Sequence, residues 1–343
     1  MSARQLRIGL AFNQKPAAPA VGHPHDFYAE WDDPGTVAAV EAALARVGQV
    51  VRLEATEDFP QRLHAARPDI VFNMAEGLTG PNRESHVPSF CEFWNIPYSG
   101  SDPLTLGLCT DKSRTKEILA HHGIPTPQFT VVRTDRDFGC LPAPPVIVKP
   151  THEGSGKGIT QASFCRTAAD IRHAASTVLD IYGQPAIVED WLGGREFTCA
   201  VMGNDDRARM LPIVEINFSV LPDYALPLYS YEAKWEWDTA EQPLDIHRCP
   251  ASIPGALARR IEDVVLASYR VLRCRDWARI DVRCDDMDEP HILEVNPLPG
   301  IIADPALSSC FPTAARAAGL NYDQMVQAVL TAAAERYGIC IEG

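Results

Sequence analysis

The chain has 343 residues, 46% of them apolar, and a formal charge of −14. That supports a sizeable core in two or three domains. It excludes broad non-specific binding to nucleic acid or acidic membranes, while leaving room for a local basic pocket. No stretch approaches the roughly 20 apolar residues of a membrane span.

The N-terminal MSARQLRIGLAF lacks the apolar run of a signal peptide and reads directly as a strand over 6–12. A Pro-, Gly- and His-rich loop follows. Its His23 and His25, like His121 and His122 further on, have no ligand partners at useful spacing and are expected on the surface. Asp33-Pro34 starts a helix that runs to Gly48, with an N-cap and Pro in the first turn. Strands over 50–53 and 69–73 alternate with it, the pattern of a parallel sheet covered by helices. In such a sheet ligands bind beyond the strand C-termini. The loop over 73–85, with Glu76, Arg83 and Glu84 among glycines, sits at that end and is read as functional rather than a plain polar connection. Asp111-Lys112 opens a second helix, closed by Gly123, Pro125 and Pro127.

A second unit follows, with strands over 128–132, 146–149 and 186–189 and a helix over 166–182. A third carries long strands from about Arg195, a helix over 255–272 and a last helix over 322–337. The expected division is 1–110, 111–194 and 195–343. Ten cysteines lie between Cys91 and Cys340 with no Cys-x-x-Cys. Without an export signal they are expected to be reduced, mostly buried and cytoplasmic, so the sequon at Asn217-Phe218-Ser219 is idle.

Three segments carry chemistry. After the strand ending in Lys149, the loop Thr151-His152-Glu153-Gly154-Ser155-Gly156-Lys157-Gly158 fails the Walker A pattern. It fails the Rossmann pattern too, because 159–162 reads as a strand and not a helix. Glycines at a hairpin tip can still wrap a phosphate with backbone N–H groups; an ordinary flexible tip fits equally. Next, 187–197 runs from an apolar strand through Glu189, Asp190, Trp191 and Leu192 into Gly193-Gly194. It suits either a purine-holding hinge or an inter-domain linker. Finally, 278–282 and 292–297 alternate polar and apolar residues around a turn-rich gap. A hairpin there brings Arg279, Asp281, Glu294 and Asn296 to one face. Two carboxylates and an amide oxygen suit Mg²⁺, and an adjacent Arg can hold an anionic oxygen. A solvated face with salt bridges is the alternative.

The ordered set Asp111-Lys112, VIVKP with its glycine loop, VEDWLGGREF, YEAKW, ARIDV and EVNPLPG resembles the ATP-grasp superfamily and, within it, the D-alanine–D-alanine ligase family, over roughly 70–330. The resemblance implies an α/β (α+β) ATP-grasp architecture, with an N-terminal parallel α/β domain and two α+β subdomains that sandwich ATP. It implies that Lys112 and Lys149 hold the α- and β-phosphates, that Ser155 lies in the loop closing over them, and that Lys234 reaches the γ-phosphate. Glu189, Trp191 and Leu192 would form the adenine hinge, with Glu196 on the ribose. Asp281, Glu294 and Asn296 would bind two Mg²⁺ (or Mn²⁺) ions, and Arg279 would steady the oxyanion of a tetrahedral intermediate. The implied reaction joins small-molecule carboxylate and amine substrates through an acylphosphate, giving ADP and phosphate. The family likeness also implies a homodimer through the first unit.

The sequence departs from the family where substrate would bind. The Gly-Gly turn and acidic-basic-acidic run expected after the first strand are missing; the nearest acids are Glu30, Asp32 and Asp33. After Gly300, where the family has a Ser-Leu pair for the acceptor carboxylate, the chain reads Ile301-Ile302-Ala303-Asp304-Pro305. Trp235 stands where the family usually has Tyr. Asp304 would repel a carboxylate or hold a cationic acceptor, or else cap a helix starting at Pro305. The sequence therefore favours an amide-forming ligase with a different acceptor over a true D-alanine–D-alanine ligase or a non-catalytic ATP-binding regulatory protein.

Overall fold

The structure, a computed structural model, describes residues 5–17, 24, 26–139, 141–239 and 242–341. His23 and His25 fall outside the described residues. The N-terminal part holds β1 (Arg7–Phe12), α1 (Pro34–Ala45), β2 (Gln49–Glu54), α2 (Phe59–Ala66), β3 (Ile70–Asn73), α3 (His86–Phe93) and α4 (Pro103–Thr110). Its strands form the expected parallel sheet in the order β2-β1-β3. Asp33 caps α1 by accepting from Thr36 N at 2.9 Å, ahead of Pro34. That fixes the register that buries Val37, Val40 and Leu44.

The middle part holds α5 (Lys112–His121), β4 (Phe129–Val132), β5 (Val146–Pro150), β6 (Phe164–Cys165), α6 (Ala168–Tyr182) and β7 (Ala186–Asp190), with the antiparallel order β4-β7-β5-β6. Here one expectation fails. Residues 159–162 do not form a strand. Thr160 and Ser163 cap each other reciprocally and wind 161–163 into a 3₁₀ turn, so on the side of β5 away from β7 only the two residues of β6 pair with it. The glycine loop is therefore a long connection rather than a tight hairpin tip. Gly156 (φ 76°) and Gly158 (φ 69°) are left-handed, and a Cβ on Gly158 would sit 2.4 Å from Pro150 Cγ.

The last part holds β8 (Glu196–Met202), β9 (Arg209–Met210), β10 (Val214–Ile216), β11 (His247–Arg248), α7 (Gly255–Val271), β12 (Trp277–Cys284), β13 (Pro290–Asn296), α8 (Cys310–Ala317) and α9 (Tyr322–Arg336). Its sheet runs β11-β10-β8-β12-β13, with β9 paired to β8. Ile280, Val282 and Val295 pack with Ile261 and Val265 of α7 in one core. The C-terminal helix returns to the first sheet: its Val326, Val329 and Leu330 share a core with Ile8, Leu10 and Leu44. Gln327 also donates to Ala43 O at 2.9 Å. Among the described residues no helix is long and apolar enough to cross a membrane.

Candidate active site

The β12–β13 hairpin has the register its alternation predicts: Arg279 lies opposite Asn296, and Asp281 opposite Glu294. Because Ile280 and Val282 are fully buried against α7, the polar face is forced the other way. That face looks into a cleft of about 330 Å³, and every site residue expected from the sequence lines it except Asp304. The volume falls in the range of small-molecule sites.

On this face Arg279 pairs with Asp281 through two contacts, Nε to Oδ1 at 3.1 Å and Nη2 to Oδ2 at 3.0 Å. The surrounding hydrogen bonds orient the Asn296 amide so that it donates to Glu294 Oε1 at 2.8 Å and accepts from Arg279 at 2.7 Å. Lys112 Nζ lies 3.6 Å from Glu294 Oε1 and donates to Glu153 O in the glycine loop. Burial works against the Arg279 charge, but Asp281 and Glu294 hold its pKa up. The donor set of two carboxylates and one amide oxygen fits a hard cation such as Mg²⁺. The cations now on these carboxylates are its own side chains. Among the described residues no three His, Cys, Asp or Glu side chains form a metal cluster by themselves, so phosphate and water oxygens would complete the coordination.

Lys149 and Glu189 change the reading of the next group. The Glu189 carboxylate is fully buried and bonds two lysines, Lys149 at 2.8 Å and Lys116 at 3.2 Å. It is their counter-ion, so its carboxylate is engaged within the protein, and the N–H groups of Asp190 and Trp191 donate to Gln128 O at 3.0 Å and Pro145 O at 3.2 Å. Lys116 was not anticipated. It lies one helical turn beyond Lys112 on α5, and α5 buries both along with Leu119; the i, i+4 spacing was the available signal. Burial pushes the Lys116 pKa down to about 8 despite Glu189.

At the far end, Glu196 accepts from Arg283 at 2.8 Å, and the Arg283 guanidinium lies 4.3 Å from the centre of the Trp191 ring. Arg283 was also missed, although it continues the 279, 281 alternation. Burial pushes the Glu196 pKa up. The Gly193-Gly194 turn fits against the hairpin: Gly194 donates to Cys284 O at 3.0 Å, and a Cβ there would meet that oxygen at 2.6 Å.

Two loops close over the cleft and touch. Trp235 Nε1 donates to Ser155 O at 3.0 Å, and Tyr231 N to Ile159 O at 2.8 Å. Lys234 lines the cleft beside them, its pKa pushed down to about 8 by burial and then by Arg279. The glycine loop is anchored to the N-terminal part by a network that spacing gave no reason to expect. Glu30 accepts from Arg83 at 2.8 Å and from Gly154 N at 2.8 Å, and pairs with Lys157 at 3.3 Å; Lys157 also pairs with Glu153. Burial opposes the Glu30 charge, but Arg83 and Lys157 outweigh it and hold its pKa at about 2. Glu30→Gln should therefore cost on the order of 3 kcal/mol, since it leaves buried cations under-compensated. Thermal unfolding and proteolysis within 151–163 would read it; an unchanged melting temperature would contradict this anchoring role.

Glu76 and Glu84 face the same cleft. Burial raises both pKa values, with Glu84 reaching about 7. A carboxyl whose folded pKa exceeds its unfolded one adds stability at low pH and loses it as pH rises. For Glu84 the loss runs from about 4.5 to about 7. Glu84→Gln should raise the melting temperature by a few degrees at pH 8 and hardly change it at pH 4.5; equal shifts at both would contradict this.

Asp304 lies outside the cleft. It is exposed and accepts from Ala306 N at 2.9 Å in a turn. No helix starts at Pro305, and Asp304 stays away from the cleft because 304–306 turn outward while Ile301 packs in the core. Past Gly300, the side chains of Ile302, Ser309 and Cys310 reach the cleft instead.

A family model described as D-ala D-ala ligase C-terminus matches residues 118–331. An uncharacterized protein, y4sG, of Sinorhizobium fredii is 36% identical over 268 residues, 78% of this chain and 75% of its own length. A D-alanine–D-alanine ligase of Bordetella avium is 34% identical over 271 residues, 78% of this chain and 79% of its own. The crystal structure of a D-alanine–D-alanine ligase from Bacillus anthracis complexed with ATP superposes with a TM-score of 0.71 and 23% identity, covering 97% of this chain and 99% of that one.

Proposed function

The chain belongs to the D-alanine–D-alanine ligase family and is an ATP-grasp, ADP-forming ligase, and from that premise we propose that it joins a small carboxylate to a small amino-acid-like amine through an acylphosphate. The observation that carries this reading is the single face of Arg279, Asp281, Glu294 and Asn296, with Lys112 at 3.6 Å from Glu294.

In this proposal Asp281, Glu294 and Asn296 hold Mg²⁺, which would neutralise phosphate charge during transfer. Lys112, Lys149 and Lys234 bind the phosphates; Lys149 does so with its charge maintained by Glu189. Trp191 and Leu192 frame the base, and Glu196 with Arg283 closes the ribose end. Arg279 points positive charge at the carbonyl oxygen as it gains charge under attack by the amine. Contact between Ser155 and Trp235 keeps water from the activated acyl group. Glu76 and Glu84 receive an ammonium group of a substrate. The three units divide near 110 and 194, and the protein works in the cytoplasm as a homodimer. The 80%-exposed Phe93 against Trp94 on the first unit offers an apolar surface for a second copy.

A second reading, D-alanine dimerisation, is favoured by the identity to relatives named for it. The substrate end argues the other way: the acidic-basic-acidic run that would grip the ammonium of the first D-alanine is missing, Trp235 replaces Tyr, and a thiol lines the wall after Gly300. Incubation with ATP, Mg²⁺ and single or paired amino acids, followed by ADP assay and product mass, decides. An amide product with a partner other than D-alanine is expected. Turnover at ordinary ligase rates with D-alanine alone would establish the second reading instead.

A further inference from the structure

Cys310 is the first residue of α8, and its side chain lines the cleft together with Arg279. It has a basic partner: Sγ lies 3.4 Å from His247 Nε2 on β11. The Tyr229 hydroxyl is 3.4 Å from the same nitrogen, and His247 Nδ1 is buried with no hydrogen-bond partner. We propose that Cys310 is a covalent modification site inside the cleft, activated by His247, that takes soft electrophiles of the α,β-unsaturated carbonyl class.

A thiol–imidazole contact beside a fixed guanidinium favours the thiolate, the form that reacts. Burial opposes the Cys310 thiolate, but His247 and then Arg279 outweigh it and hold the thiol below its usual range, while Asp281 opposes them. His247 moves the opposite way, held up by Cys310 against burial and Lys234, with Asp238 adding to the rise. Tyr229, Cys199 and Cys249 complete the titratable surroundings, and burial keeps all three protonated. Cys91, Cys165 and Cys284 are likewise pushed up by burial.

The addition balances without an oxidant or leaving group. Sγ forms a bond to the β-carbon, the carbon–carbon π pair moves to the carbonyl as an enolate, and the enolate takes a proton originating from the His247 imidazolium. The adduct then occupies the space beside Arg279.

The test is limited labelling of the full chain with N-ethylmaleimide at neutral pH, read by peptide mass at Cys310 and at the exposed Cys340. Cys310 should be modified roughly tenfold faster than Cys340. His247→Gln should remove that advantage and leave the Cys340 rate unchanged. Cys310 labelling no faster than Cys340, or a rate indifferent to His247→Gln, would overturn the proposal. The readout needs no turnover, so it fails or succeeds separately from the ligase reading.

Discussion

Glu294→Gln should lower ADP release by at least about a thousandfold while leaving the chain folded. Glu294 faces Asp281 across the hairpin, receives the Asn296 amide and stands 3.6 Å from Lys112. Its charge is thus the meeting point of one strand's carboxylate, the other strand's amide and the lysine at the start of α5. The isosteric amide keeps the packing of β13 but removes the negative charge that attracts a divalent cation. Circular dichroism would report the fold and a coupled ADP assay the turnover. Turnover within tenfold of wild type would remove Glu294 from the metal set.

Arg279→Met should act differently. Nucleotide affinity is retained and amide formation slows by roughly 10²–10³, the cost of losing one preorganised charge at a developing oxyanion. Arg279 now occupies Asp281 with both of its contacts at 3.0–3.1 Å. Its removal therefore frees a carboxylate, and metal affinity should hold or rise. Nucleotide binding by calorimetry and single-turnover product formation separate the two effects. Loss of nucleotide affinity with unchanged chemistry would contradict the role given to this side chain.

Much of this was legible where a local rule and the tertiary fold agree. The alternation around Arg279 and Glu294 is decided by which face α7 buries, so pairing and facing followed from the pattern. The caps at Asp33 and Asp111 fixed helix starts. The same Asp-Pro signal stood at Asp102-Pro103, where Asp102 accepts from Thr105 N at 2.9 Å; it went unread, and α4 with it. The short helices α2, α3 and α8 offer only about two turns of periodicity, too little to rise above a loop. The 159–162 segment misled because reciprocal Thr160–Ser163 capping overrode its β-like composition. The i, i+4 spacing could have flagged Lys116, but its pairing with Glu189, like Glu30–Arg83–Lys157 and Cys310–His247, joins residues 53 or more positions apart, and no spacing encodes which partner a buried charge selects. Asp304 is outside the cleft for the complementary reason: distance from Gly300 does not show that 304–306 turn outward while Ile302 and Leu307 on either side line the cleft.

If the β12–β13 face holds divalent cations on a bound nucleotide, cation binding should depend on both the nucleotide and Glu294. Counting Mn²⁺ by electron paramagnetic resonance, with and without a non-hydrolysable ATP analogue, tests it most directly. Wild-type protein should bind Mn²⁺ tightly only when the nucleotide is present, and Glu294→Gln should lose that binding. Equal Mn²⁺ occupancy in both proteins, at saturating nucleotide, would contradict it.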